Sequence, residues 1–146
     1  MTVQPPARRP CASCPYREDV PPGIWAEKEY AKLPTFDEPT WAQPGTLFLC
    51  HQHDRDDDRA RVCAGWAGCH DMSQSLGLRI AAASGEVTPE TAEAIYDYVS
   101  PVPLFASGAE AAAHGRSGID DPDIDAVLAI RKIERRRTDL TEPKGN

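Results

Sequence analysis

The sequence has no apolar run long enough to cross a bilayer, which takes about 20 residues, and Met1–Pro10 holds no apolar segment of the kind that makes a secretory signal. Both absences predict a cytoplasmic protein without membrane association. Positive charge is also scarce. Sixteen Lys and Arg stand against 23 Asp and Glu for a net charge of -7, with the acids gathered at Asp54–Asp58 and Asp120–Asp125, so the electrostatic footprint of a free-standing nucleic-acid binder is missing. The exception is the basic cluster at residues 131–137. It reads first as a helix end set favourably against the helix dipole, and second as a contact for nucleic acid or an acidic partner. There is no Gly-rich phosphate loop, no nucleophile elbow and no H-E-x-x-H, which removes the common nucleotide-binding and hydrolase signatures. No internal repeat and no biased linker divides the 146 residues, so one domain is expected. With 40% hydrophobic residues and a mean hydropathy of -0.51, its core should be modest.

What the chain does have is sulfur in a pattern. All five cysteines and three of the four histidines fall between positions 11 and 70, as Cys11-Ala-Ser-Cys14-Pro15-Tyr16-Arg17, Cys50-His51-Gln52-His53 and Cys63-Ala-Gly-Trp66-Ala-Gly-Cys69-His70. Thiolates and imidazoles are the usual ligands of zinc and other borderline-soft metals, and a C-x2-C turn brings two sulfurs to one ion. In a reducing compartment disulfides are disfavoured, and an odd cysteine count argues further against a disulfide framework. A thioredoxin-like dithiol would need a βαβ setting that ten proline-rich residues cannot supply. A zinc deaminase would need H-x-E where this chain has His51-Gln52-His53.

A closed tetrahedral site needs four ligands, and the set expected from spacing and chain direction is Cys11, Cys14, Cys50 and Cys63. His51, His53, Cys69 and His70 are then spare, as orienting groups, replacement ligands or holders of a second ion. Arg17 is placed to offset thiolate charge. Zinc is the first choice of metal. Four cysteines also suit an iron–sulfur cluster, which Trp25, Phe48 and Trp66 would shield from solvent.

The expected fold is α+β and mostly helical, with a small metal-stapled N-terminal part containing a short β-hairpin and a helical C-terminal half. Residues 1–10 are expected to be a flexible N-terminus, 11–137 a single metal-binding domain and 138–146 a flexible tail. The hairpin strands are Thr46–Cys50 and Arg61–Cys63, the first being a short apolar run after Gly45. Helices are predicted from Ile24 to a stop at Pro34, from an Asp71 cap to Gly85 with Met72, Leu76, Ile80 and Ala83 as the buried stripe, and from Thr88-Pro89-Glu90 through Tyr98. Another is expected over 107–113 and a last one after Asp120-Asp121-Pro122, carrying a stripe of Ile124, Val127, Leu128 and Ile133.

The Cys11–Arg17 segment, with Val20-Pro-Pro-Gly-Ile-Trp25, Phe48-Leu-Cys50-His51 and Cys63-Ala-Gly-Trp66, resembles a family of small uncharacterised proteins from high-GC bacteria and their phages. Those proteins share a C-x-x-C-P-[W/Y]-R opening, a later Phe-x-Cys-His and a Cys-Ala-Gly-aromatic segment. The resemblance covers residues 11–79 and extends to Ser100–Phe105, and its motif cysteines fall on Cys11, Cys14, Cys50 and Cys63. It implies no activity, since the family is a domain of unknown function. The resulting expectation is a metal-binding cytoplasmic module that binds a protein or nucleic-acid partner. An iron–sulfur redox or gas sensor and a zinc hydrolase are the alternatives.

Overall fold

The computed structural model describes residues 2–53, 55–136 and 139–141. Six α-helices run in chain order: α1 (Glu27–Tyr30), α2 (Ala64–Cys69), α3 (Leu76–Ser84), α4 (Pro89–Tyr96), α5 (Gly108–Arg116) and α6 (Ile124–Glu134). Short 3-10 turns at Leu33–Asp37, Thr40–Ala42 and Met72–Gln74 link some of them. All six fall short of the roughly 12–15 residues an isolated helix needs in water, so they persist through packing and capping. Capping is frequent: Ser75, Thr88, Ser107 and Asp123 each accept a backbone N–H from the first turn of α3, α4, α5 and α6. Gly85 closes α3 in the left-handed region at φ 81°.

The expected hairpin does not form, and the α+β assignment is corrected to a helical fold. Among the described residues there is no β-strand, only three isolated bridges, Gln4 with Arg61, Arg17 with Leu104 and Leu49 with Val62. The reason lies at both ends of the candidate strands. A turn begins at His51 and helix α2 begins at Ala64, so the pairing stops after a single rung. That rung still matters: Cys50 N donates to Arg61 O at 2.9 Å and Cys63 N to Phe48 O at 2.9 Å. It ties two cysteine backbones together. On the other side, Gln4 N donates to Ala60 O and Val62 N to Gln4 O, while Val3 is buried and its N–H donates to Glu86 O. The opening residues, expected to be flexible, thus lie against the body. Of the expected flexible tail, residues 138 and 142–146 lie outside the described residues, whereas Leu140 is buried and its carbonyl accepts from Ala26 N.

Two helical stripes sit at a different phase from the sequence reading. Ser75 ends the 3-10 turn that Asp71 caps and starts α3 afresh, which rotates the buried face onto Leu78 and Ala81 and leaves Ile80 45% exposed. On α6 the inward residues are Ala126, Ala129, Ile130 and Ile133, while Ile124 and Leu128 point outward. Pro34 does not end the first helix in coil. It enters the 3-10 turn at its first positions. Much of the core comes from irregular chain: Tyr16, Ile24, Trp25, Leu47 and Val62 are each no more than 1% exposed, and burying a large apolar side chain contributes about 1.5–3 kcal/mol.

Leu78→Ala should lower the unfolding free energy by about 2–5 kcal/mol, whereas Ile80→Ala should change it by no more than about 0.5–1 kcal/mol. Urea denaturation of the two variants checks this, and similar losses would restore the phase that the sequence predicts.

Candidate metal centre

The first knuckle is a tight turn in which Cys14 N donates to Cys11 O at 3.0 Å and Arg17 N to Cys14 O at 3.1 Å. Its frame is braced twice. Trp25 Nε1 donates to Ser13 O at 2.9 Å, and the Arg17 guanidinium donates to Pro10 O at 3.0 Å and Cys11 O at 3.4 Å while pairing with Asp19 at 2.7 Å. Arg17 therefore holds the backbone of the knuckle and makes no hydrogen bond to a sulfur among the described residues. The second contributor is Cys50, at the end of the Leu49–Val62 rung, and the third is Cys63, the residue that caps α2.

These three segments converge. The sulfurs of Cys14 and Cys63 lie 3.9 Å apart, and the Cys11 thiol is influenced most strongly by those of Cys14 and Cys50. The four thiols thus neighbour one another in the order Cys50, Cys11, Cys14, Cys63. As they stand, no three His, Cys, Asp or Glu side chains among the described residues are arranged to hold an ion. Donors surround the string: the backbone N–H of Ser13 and the Gln52 side chain reach Cys11, and the backbone N–H of Gln52 reaches Cys50. In both knuckles the N–H two residues past the cysteine favours a thiolate.

Three of the thiols shift in opposite directions. Hydrogen bonds from Cys14 and Cys50 outweigh burial and hold the Cys11 thiol down at about 2. The bond to Cys11, with Cys63 and burial behind it, pushes Cys14 well up, and Cys50 is raised by Cys11 and by burial.

Space for Cys14 comes from Gly65. A Cβ there would stand 2.3 Å from Cys14 Sγ and 2.8 Å from Tyr16 Cβ, so the Cys-Ala-Gly-Trp segment needs glycine for close approach. Around the thiols stand Tyr16, edge-on to Phe48 at 5.8 Å, and Trp25. Burial and the nearby Cys63 raise the Tyr16 phenol well above its usual range, so it stays protonated, although its hydroxyl has no hydrogen-bond partner among the described residues.

The remaining candidates are engaged elsewhere. His51 lies against Trp25 at 4.7 Å, and its Nε2 donates to Glu29 at 3.2 Å. Burial works against the Glu29 charge, but the bonds from His51 and Lys32 prevail and hold its carboxyl at about 2. His70 bridges the Trp66 carbonyl at 2.9 Å and Asp37 at 3.1 Å, and that same Asp37 accepts the Gly108 and Ala109 N–H groups at the start of α5. Cys69 and His70 line a separate cleft of about 410 Å³ with Asp37 and Ser107, where burial and Asp37 push the Cys69 thiol up to about 12. His53 borders the surface beside Cys50. Gln52, Glu29 and Asp37 carry no sequence signal for these roles, because each partner lies far away in the chain or is a common residue in a turn. Gly65 does carry one, in the glycine two residues after Cys63.

No helix among the described residues is long and apolar enough to cross a membrane. No curated protein and no solved structure matches the chain. A family model does match, over residues 6–137, from just before the Cys11 knuckle to just past the end of α6 and through all five cysteines. The chain therefore belongs to DUF6283, a family of unknown function.

Proposed function

We propose that Cys11, Cys14, Cys50 and Cys63 close around one zinc ion, and that the stapled domain acts as a binding or regulatory module for a protein or nucleic-acid partner. The observation that carries the reading is the meeting of four thiols from three separate segments. With Zn–S bonds of about 2.3 Å, a tetrahedron has S···S edges of about 3.8 Å, and the Cys14–Cys63 separation is 3.9 Å. The Cys14–Cys63 edge thus already has the length a zinc tetrahedron needs, and the Cys11 thiol is influenced by both Cys14 and Cys50. Closing the set requires the remaining edges to shorten, and the hydrogen bonds of the Leu49–Val62 rung already join the segments that carry Cys50 and Cys63. Zinc would then hold together segments that no regular element joins, contributing on the order of 10 kcal/mol to folding.

The aromatic wall of Tyr16, Trp25 and Phe48 favours a second reading, an iron–sulfur cluster shielded from solvent. A four-iron cube sets its cysteine sulfurs farther apart than one tetrahedral edge, so the 3.9 Å pair supports a single ion over that cube. A hydrolytic zinc site gains no support, since His51 and His70 are committed to Glu29 and Asp37. Trp41 and Val99, 83% and 84% exposed, are apolar side chains open to a partner.

Protein purified anaerobically should contain about one zinc per chain and show no visible absorbance. Iron with sulfide and absorbance near roughly 400 nm would overturn the zinc reading in favour of a cluster. Chelation should unfold the domain, and a chelated sample that keeps its full far-UV circular dichroism would remove the structural role. Serine at any of the four positions, or Gly65→Ala, should abolish stoichiometric metal, whereas Cys69→Ser should retain it; elemental analysis of each variant decides. Because Cys14 and Cys50 hold their protons more tightly than ordinary thiols, uptake must expel them. Affinity should therefore rise with pH and fall on acidification, and competition with a chromophoric chelator between pH 6 and 8 would measure the slope.

A further inference from the structure

Helix α6 crosses in front of the Cys11 knuckle and encloses a cavity of about 300 Å³, at the lower end of the roughly 300–1,000 Å³ typical of ligand pockets. Its back wall is the knuckle itself with the buried indole of Trp25 and the His51 ring lying against it at 4.7 Å. Its front wall is one face of α6, with Ala129, Lys132 and Ile133 at i, i+3 and i+4, continued by Arg136 in the turn just past the helix end. That face mixes apolar and basic side chains in an otherwise acidic protein.

We infer that this cavity binds a small organic anion with a flat apolar body, of the class of an aromatic carboxylate, its ring against Trp25 and Ile133 and its charge between Lys132 and Arg136. The helix dipole accounts for cations near the end of α6. It does not account for the two that share the cavity face. Lys132 enters no ion pair between described residues, and Arg136 is held by Gln52, so one cation is free to meet a ligand and the other is pre-positioned. Apolar walls with a few converging polar groups are what orient small ligands, and an aromatic face adds area at little entropic cost. The site does not depend on which metal, if any, the thiols hold, because its charged groups come from α6 and the turn that follows it.

The test is calorimetric titration of the full chain as isolated, its metal content measured in the same sample, with 1-naphthoate, neutral 1-naphthylmethanol and acetate. Naphthoate should bind saturably with one molecule per chain, at least about tenfold more tightly than naphthylmethanol or acetate, with amide shifts in the NMR spectrum centred on Ser13, Trp25 and Ala129–Ile133. Lys132→Gln, at an exposed position that leaves the fold intact, should weaken naphthoate by about tenfold while leaving naphthylmethanol unchanged. Ile133→Glu should abolish both. Equal binding of naphthoate and its alcohol, no saturable binding, or binding that survives both substitutions would overturn the assignment. If metal is absent yet naphthoate binds, the zinc reading fails alone; if metal is present and naphthoate does not bind, the cavity inference fails alone.

Discussion

The sulfur of Cys14 lies against the backbone of Gly65, and the N-terminal half is arranged around that contact. A side chain at position 65 would occupy the sulfur's own space, so helix α2 can approach the knuckle only because its second residue is glycine. The approach brings Cys63, at the head of the same helix, to 3.9 Å from Cys14. It also presses Tyr16 into the core beside Phe48. Packing and the thiol cluster are one arrangement here, since the groups that exclude water from the sulfurs are also the largest residues of the core.

That arrangement explains why so little regular structure suffices. Half-buried loops leave backbone groups in need of partners, and this chain meets the need with scattered, specific bonds: Arg17 on Pro10 and Cys11, Trp25 on Ser13, and the short rung between residues 48–50 and 61–63. Each is modest, at about 0.5–1.5 kcal/mol net for a typical hydrogen bond. A metal joining the three cysteine segments would act on all of them together, because it would restrain the loops whose ends those bonds hold.

The histidines divide the molecule into neighbourhoods. His51 pairs with Glu29 and lies against Trp25, both rings lining the α6 cavity. His70 and Asp37 stand on the far side of α2, where Asp37 also receives the start of α5. Gln52 links two of these regions, since it lines the same cavity as Cys11 while it holds Arg136 of the basic cluster.

Local sequence determined the caps and breaks: Thr88-Pro89-Glu90 opened α4, Ser107 opened α5, and Gly85 closed α3, because these depend on bonds within one turn. It also singled out Cys11, Cys14, Cys50 and Cys63, since ligand chemistry and tight-turn spacing are properties of a few adjacent residues. Tertiary structure alone decided that Thr46–Cys50 and Arg61–Cys63 would meet at one rung and form no hairpin, because the turn at His51 and the start of α2 compete for the same backbone. It decided the phase of α3, where Ser75 restarts the helix and turns Leu78 inward in place of Ile80. It also sent His51 to Glu29 and His70 to Asp37, 22 and 33 residues away. Partners at that distance are chosen by how the segments pack, which no local pattern encodes.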